Sequence, residues 1–334
     1  MKRFITTLAL AATFLSAKAS YVQQVQIGTD KGLSCNGVKT FSKDSYGRLW
    51  VGTINGANLV SNGSVRQYQY FTVEGDNIVT GDVISIGCTR RAIIATANHI
   101  IDFDPDNDST HLVTYDRRTI RTDYILMKGD TAYFYNAPLS ALMMYDLSNY
   151  TTSIVAQFPT ERQFHFTKIL KVSNDPNQLL LVEDDRGFYT LNVITGNLAR
   201  MEYLGEDIVT RAVFIDSNDI LWVAYRNKGI TGYYVKSGFD RIAHFDKSNS
   251  QLPSNEISTM DEMPDGNLLV CSSQSVFSLN RKNGRIEDYP FGVLSPLHVT
   301  STLVDGKENL IMLGTLHKGI ITLKRSLCHS AVEV

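Results

Sequence analysis

The chain has 334 residues, 43% of them apolar, which is material for the core of one large domain or two ordinary ones. A formal charge of −2 at pH 7 gives no whole-chain argument for binding nucleic acid or a membrane surface. Only 8 Pro, no long charge run and 16 Tyr beside 15 Phe exclude a disordered chain and point to an ordered, β-rich body.

At the N-terminus, Lys2 and Arg3 precede an apolar stretch from Phe4 to Leu15, and Ala17-Lys18-Ala19 supplies the small residues of a cleavage site. Residues 1–19 read as a secretory signal peptide, so the mature chain is expected to start near Ser20 and to be periplasmic or secreted. The apolar run is too short to span a bilayer, and no later segment has the length and apolarity of a membrane helix. No membrane insertion is therefore expected after cleavage. Cys35, Cys88, Cys271 and Cys328 have irregular spacings that match no zinc or redox signature, and they read as free or buried thiols.

The stretch Asp44 to Thr53, DSYGRLWVGT, is an Asp/Ser/Gly reversal running straight into strand-forming residues. It returns at Asp216 to Tyr225, DSNDILWVAY, with Asp, Ser, Leu, Trp and Val at matching offsets. Aligned on its tryptophan, the chain gives a column of Trp50, Ile93, Tyr133, Leu180, Trp222, Leu269 and Ile311, a period of about 43 residues. Each copy has an apolar strand at this column, and these runs lack strict alternation, as strands covered on both faces do.

A second strand follows in every copy, such as NLV at 58–60 and ITGYY at 230–234, then a turn such as Asn62-Gly63 or Asn283-Gly284. After six of these turns comes an outer strand, such as VRQYQY at 65–70, and an inner strand such as VKTFSKD from Val38 precedes each column strand. Four antiparallel strands at this period predict an all-β, seven-bladed β-propeller over residues 20–324. The seventh copy lacks an outer strand, while YVQQVQI at 21–27 precedes the first copy and reads like one. The N-terminal strand is thus expected to close the last blade, leaving 325–334 as a C-terminal tail.

Gly32 to Val60, GLSCNGVKTFSKDSYGRLWVGTINGANLV, resembles the two-component regulator propeller repeat of Bacteroidota hybrid two-component systems. Leu33, Ser34, Asn36, Val38, Asp44, Gly47, Leu49, Trp50, Val51, Gly52 and Thr53 carry the resemblance, and Leu252, Pro253, Ser254, Asn255 and Ile257 repeat its first half. The resemblance implies the N-terminal half of a periplasmic sensor whose usual signals are oligosaccharides. It also implies partners, a membrane sensor kinase or a second propeller domain, because this sequence carries no kinase module of its own.

Within the motif, Asp44, Gly47, Trp50, Asp216 and Trp222 are assigned to turn and blade core. Function on propellers sits on the face bearing the loops between the two middle strands and the segments leading into each blade. There the sequence places Asn55, Asn98-His99, Asn136, Glu183 to Arg186, Tyr225 to Lys228, Ser273-Gln274 and His317-Lys318, with Asn36, Asp82, His165, Arg211, Asn255 and His298 in the lead-in segments. Asp184, Asp185, Arg186, Arg211, Tyr225, Arg226, Lys228, His317 and Lys318 form the candidate ligand site. Cations and one aromatic could hold a polar or acidic saccharide by charge-assisted bonds and stacking.

No GxSxG, HExxH, P-loop or dinucleotide fingerprint occurs, and no two His stand at i, i+2 or i, i+4. No catalytic residue, metal or cofactor is therefore expected. The sequence reads as a ligand-sensing or binding propeller; a protein-interaction scaffold in cell-envelope assembly is the alternative, and a lyase or glycosidase the third.

Overall fold

The structure, a computed structural model, describes residues 19–172, 175–201, 209–272, 275–288 and 297–327. The expected signal peptide as far as residue 18, Cys328 and the tail beyond it lie outside the described residues. Seven four-stranded antiparallel sheets make up the body. Blades one to six span 38–68, 83–112, 125–157, 166–201, 210–245 and 257–288, with their strands paired in chain order. Blade seven takes Val299–Asp305, Leu310–Thr315 and Ile320–Leu327, and its fourth strand is Ala19–Ile27. The first strands of successive blades touch all the way round, and the first strand of blade seven touches Val38–Lys43 of blade one, so the ring is closed.

The second strands show why their sequences do not alternate. Leu49–Thr53, Ala92–Thr96 and Leu268–Ser272 are buried at every residue, one side chain facing the preceding blade and the next facing the following one. The core is accordingly divided into seven apolar clusters, one at each blade-to-blade interface. Trp50 packs with Ala57, Tyr68, Val83, Ile94 and Phe103 between blades one and two, and Trp222 does the same with Phe245, Met260 and Phe277 between blades five and six.

In blade seven the column falls on Met312 and not on Ile311. Gly314 pairs with Ser301 as Gly52 pairs with Thr40, which puts Met312 opposite Leu303 where Trp50 stands opposite Ser42. Met312 faces blade one, while Ile311 joins the cluster against blade six. Leu310 to Leu313 are all apolar, so hydrophobic pattern alone leaves a one-residue slip open.

At the lower face, Asp44 Oδ1 accepts the N–H groups of Tyr46 and Arg48 at 3.0 and 2.9 Å, and Gly47 sits at φ 82°. Asp216 repeats this with Asn218 and Ile220 at 2.9 and 3.0 Å. Two further hairpins, Tyr70–Val73 with Asp76–Val79 and Thr114–Tyr115 with Arg118–Thr119, stand in the connections into blades two and three and were not separated from the outer strands by the sequence pattern. The last strand continues to Leu327, three residues past the expected end of the propeller at 324. Cys35, Cys88 and Cys271 are free thiols. No helix among the described residues is long and apolar enough to cross a membrane.

Candidate functional site

The upper face carries the turns between second and third strands together with the lead-in segments, and backbone hydrogen bonds lace the two. In blade one, Ile54 N–H donates to Gly37 O of its own lead-in at 3.0 Å, and Gly56 N–H donates to Gly81 O of the next at 2.7 Å. Blade five repeats the pair with Arg226 to Val209 and Gly229 to Asn255, and blade seven with Leu316 to His298 and Gly319 to Asn36. Buried hydroxyls close the turns from inside: Thr53 Oγ1 donates to Gly56 O and Thr315 Oγ1 to Gly319 O, both at 2.9 Å. Such a frame holds the side chains between its bonds in fixed directions.

A second recurrent device turns side chains toward the mouth of the ring. Six of the seven first strands carry a β-bulge after their first paired residue, at Lys39, Ile84, Thr167, Arg211, Ser258 and Thr300. A bulge bends the strand and re-aims the extra residue. Three consecutive bulge residues, Arg211, Ser258 and Thr300, line a cavity of about 500 Å³ together with Arg226, Glu256, Ile257, His298, Val299 and Leu316. That size falls within the roughly 300–1,000 Å³ of small-molecule sites.

The charges around the mouth fall into two sets. Lys39 Nζ pairs with Asp82 at 2.9 Å across blades one and two, and His165 Nε2 meets Asp123 at 2.9 Å across blades three and four. In blades five to seven, Arg211, Arg226, Glu256 and His298 are exposed and make no ion pair among the described residues. The His317 ring stands edge-on to His298 with centroids 6.2 Å apart.

The sequence-derived candidates separate accordingly. Arg211 and Arg226 line the cavity. Asp184 caps a neighbouring turn: its carbonyl accepts Thr210 N–H at 2.7 Å and its carboxylate accepts Thr167 Oγ1 at 2.6 Å. Desolvation lowers the pKa of the adjacent Lys168 ammonium, partly offset by Asp184. Asp185 and Lys228 are exposed outside the cavity, and Arg186 donates to Gln163 O at 3.2 Å. His317 and Lys318 follow Leu316 on the rim, with Lys318 N–H held by Thr315 Oγ1 at 2.8 Å. Ser273 and Gln274 lie outside the described residues.

Tyr225 requires a correction. It is 3% exposed, its hydroxyl 3.1 Å from that of Tyr233 within the apolar cluster between blades four and five, and it cannot stack on a ligand. It occupies the buried last position of the second strand that Thr53 fills in blade one, and so points into the body. Glu183, at the same position of blade four, is also buried, accepting His165 N–H at 2.9 Å and the Tyr189 hydroxyl at 3.1 Å.

Ser258, Thr300, Glu256, Val299 and Leu316, with the motif residue Ile257, complete the cavity without having been named as site candidates in the sequence. Their signal was positional: Ser258 and Thr300 follow Ile257 and Val299 as Lys39 follows Val38. Among the described residues no three His, Cys, Asp or Glu side chains converge to hold a metal ion.

Residues 32–55 match the family model described as the two component regulator propeller. No curated protein matches the chain significantly. The extracellular domain of BT3049 of B. thetaiotaomicron, assigned as a hybrid two component system, superposes with a TM-score of 0.71 at 17% identity, covering 91% of this chain and 42% of that one. The extracellular domain of BT4673 of the same organism gives 0.66 at 17% identity, with 91% and 39% covered. PorZ, a surface component of the type-IX secretion system of Porphyromonas gingivalis, gives 0.70 at 15% identity, with 92% and 49% covered. At these identities the likeness establishes the fold, and the chain spans less than half the length of each of the three.

Proposed function

We propose that this propeller, whose first repeat is that of the two component regulator propeller family, is a periplasmic or secreted ligand-binding module of the kind that serves as the outer part of a sensor, and that its ligand is an oligosaccharide. The observation that supports this reading is the cavity at the mouth of blades five to seven, where charged side chains without ion-pair partners among the described residues converge on a space of small-molecule size. Its walls belong to the first strands and lead-in segments of three blades, so an occupant would touch all three and could alter how they sit against one another. Binding and relay to a membrane kinase or a second propeller domain then suffice for the function, and no chemical step is required of this chain.

The test is calorimetric titration of the folded protein with a panel of neutral and acidic oligosaccharides. Saturable binding of at least one member is the expected result; failure of every saccharide to bind would overturn the reading.

A further inference from the structure

Resting on that reading, we infer that the saccharide bears an oxyanion, a uronic acid carboxylate or a sulfate ester, and that Arg211 and Arg226 hold it at the mouth of blades five to seven. Three features of the cavity carry this.

The first is charge. Among the described residues Arg211, Arg226 and His298 line the cavity with one carboxylate, Glu256, and make no ion pair, whereas Lys39 pairs with Asp82 and His165 meets Asp123 elsewhere around the mouth. A guanidinium is always charged and offers a planar fork of donors that fits carboxylate and sulfate alike.

The second is the lining. Tyr225 is buried, and among the described residues no Trp, Tyr or Phe borders the cavity. Ile257 and Val299 are buried in the inter-blade clusters, Leu316 alone of the aliphatic lining is exposed, and the polar share of the affinity falls to the charged groups.

The third is the state of the hydroxyls. Ser258 Oγ donates to Cys271 O at 3.1 Å, and Thr300 Oγ1 donates to Val38 O at 2.5 Å, with Gly314 O at 3.1 Å. With their protons engaged, both oxygens present lone pairs only, which accept hydrogen bonds from sugar hydroxyls. Donors for an oxyanion and acceptors for hydroxyls thus border one cavity.

The experiment compares a uronic acid trisaccharide, a sulfated disaccharide and a neutral trisaccharide by calorimetry, on the wild type and on Arg211→Ala, Arg226→Ala and Glu256→Gln. All three positions are exposed, so the fold is preserved, and thermal unfolding of each variant checks this. The expected result is binding of an acidic saccharide, weakened by about tenfold or more in each arginine variant, weakened by added NaCl, and strengthened in Glu256→Gln as a like charge is removed. Which acidic probe binds identifies the oxyanion as carboxylate or sulfate. Equal binding of the neutral trisaccharide, with the arginine variants unaffected, would overturn the inference and leave the sensor reading standing; no binding by any saccharide would overturn both.

Discussion

Trp50 and Trp222 occupy the same position of two blades, yet their indole nitrogens are treated differently. Trp222 Nε1 donates to Asp216 Oδ2 at 2.9 Å. Trp50 Nε1 is buried with no hydrogen-bond partner among the described residues, and Asp44 Oδ2 accepts Arg48 Nε at 2.6 Å. Truncation of either to Ala should cost about 3–5 kcal/mol. Replacement by Phe separates them: Trp222→Phe leaves Asp216 with a vacated acceptor position beside Arg281, whereas Trp50→Phe removes a donor that had no partner. Trp222→Phe should therefore be the more destabilising by about 1–3 kcal/mol in denaturant titration, and equal costs would show that Asp216 does not retain the indole bond in solution.

The elements show how far pattern reached. Period and turn chemistry were enough to place the four-stranded unit and its column, because burial on both faces forces an apolar second strand in every copy. Bulges were not legible: a single extra residue in one strand changes neither the spacing between copies nor the residue types. The cavity built on Arg211, Ser258 and Thr300 was consequently visible only through Arg211, Arg226 and His298. In blade seven the sequence Gly314-Thr315, matching Gly52-Thr53, held the correct alignment that the uniform run Leu310 to Leu313 concealed.

Between the first strands of blades six and seven, Asp261 accepts Glu262 N–H at 2.8 Å and Val304 N–H at 3.2 Å. Its carboxyl is pushed up to about 6, chiefly by burial, with the two backbone donors lowering it and the Glu262 charge raising it. A native value above the ordinary one of about 3.9 means that the folded protein holds a proton which the unfolded chain has released. This group's contribution to stability should thus be greatest below about pH 4 and be lost as pH rises through about 6. Denaturation midpoints measured at pH 4.5 and 7 should show the decline, and Asp261→Asn should flatten it; a variant with the wild-type slope would place the titrating group elsewhere.

On the scale of the whole ring, closure is made at three levels. Ala19–Ile27 pairs with Ile320–Leu327 at the rim, Gly319 N–H reaches Asn36 O at 3.0 Å on the upper face, and Lys43 pairs with Asp305 below. Gly319 lies at φ 71°, where a Cβ would come within 2.1 Å of Ile27 O, so a glycine is required where the two ends of the chain meet. Removing residues 19–27 would strip the fourth strand from blade seven and bare its edge. The expected outcome is a lower midpoint of thermal unfolding together with protease cleavage in blades seven and one; a variant with an unchanged midpoint would show that the seam is held by the inner strands alone.

The pairing of Ala19 with Leu327 and of Ile27 with Ile320 sets the outer ends of these two strands side by side on the lower face, opposite the cavity. Force applied to Ala19 and Leu327 at once would meet this strand pair in its weakest direction. Antiparallel strands pulled apart from the same end load their hydrogen bonds one after another, as in unzipping, rather than all together as in shear. The seam would yield stepwise to tension, beginning at Ala19 and Leu327.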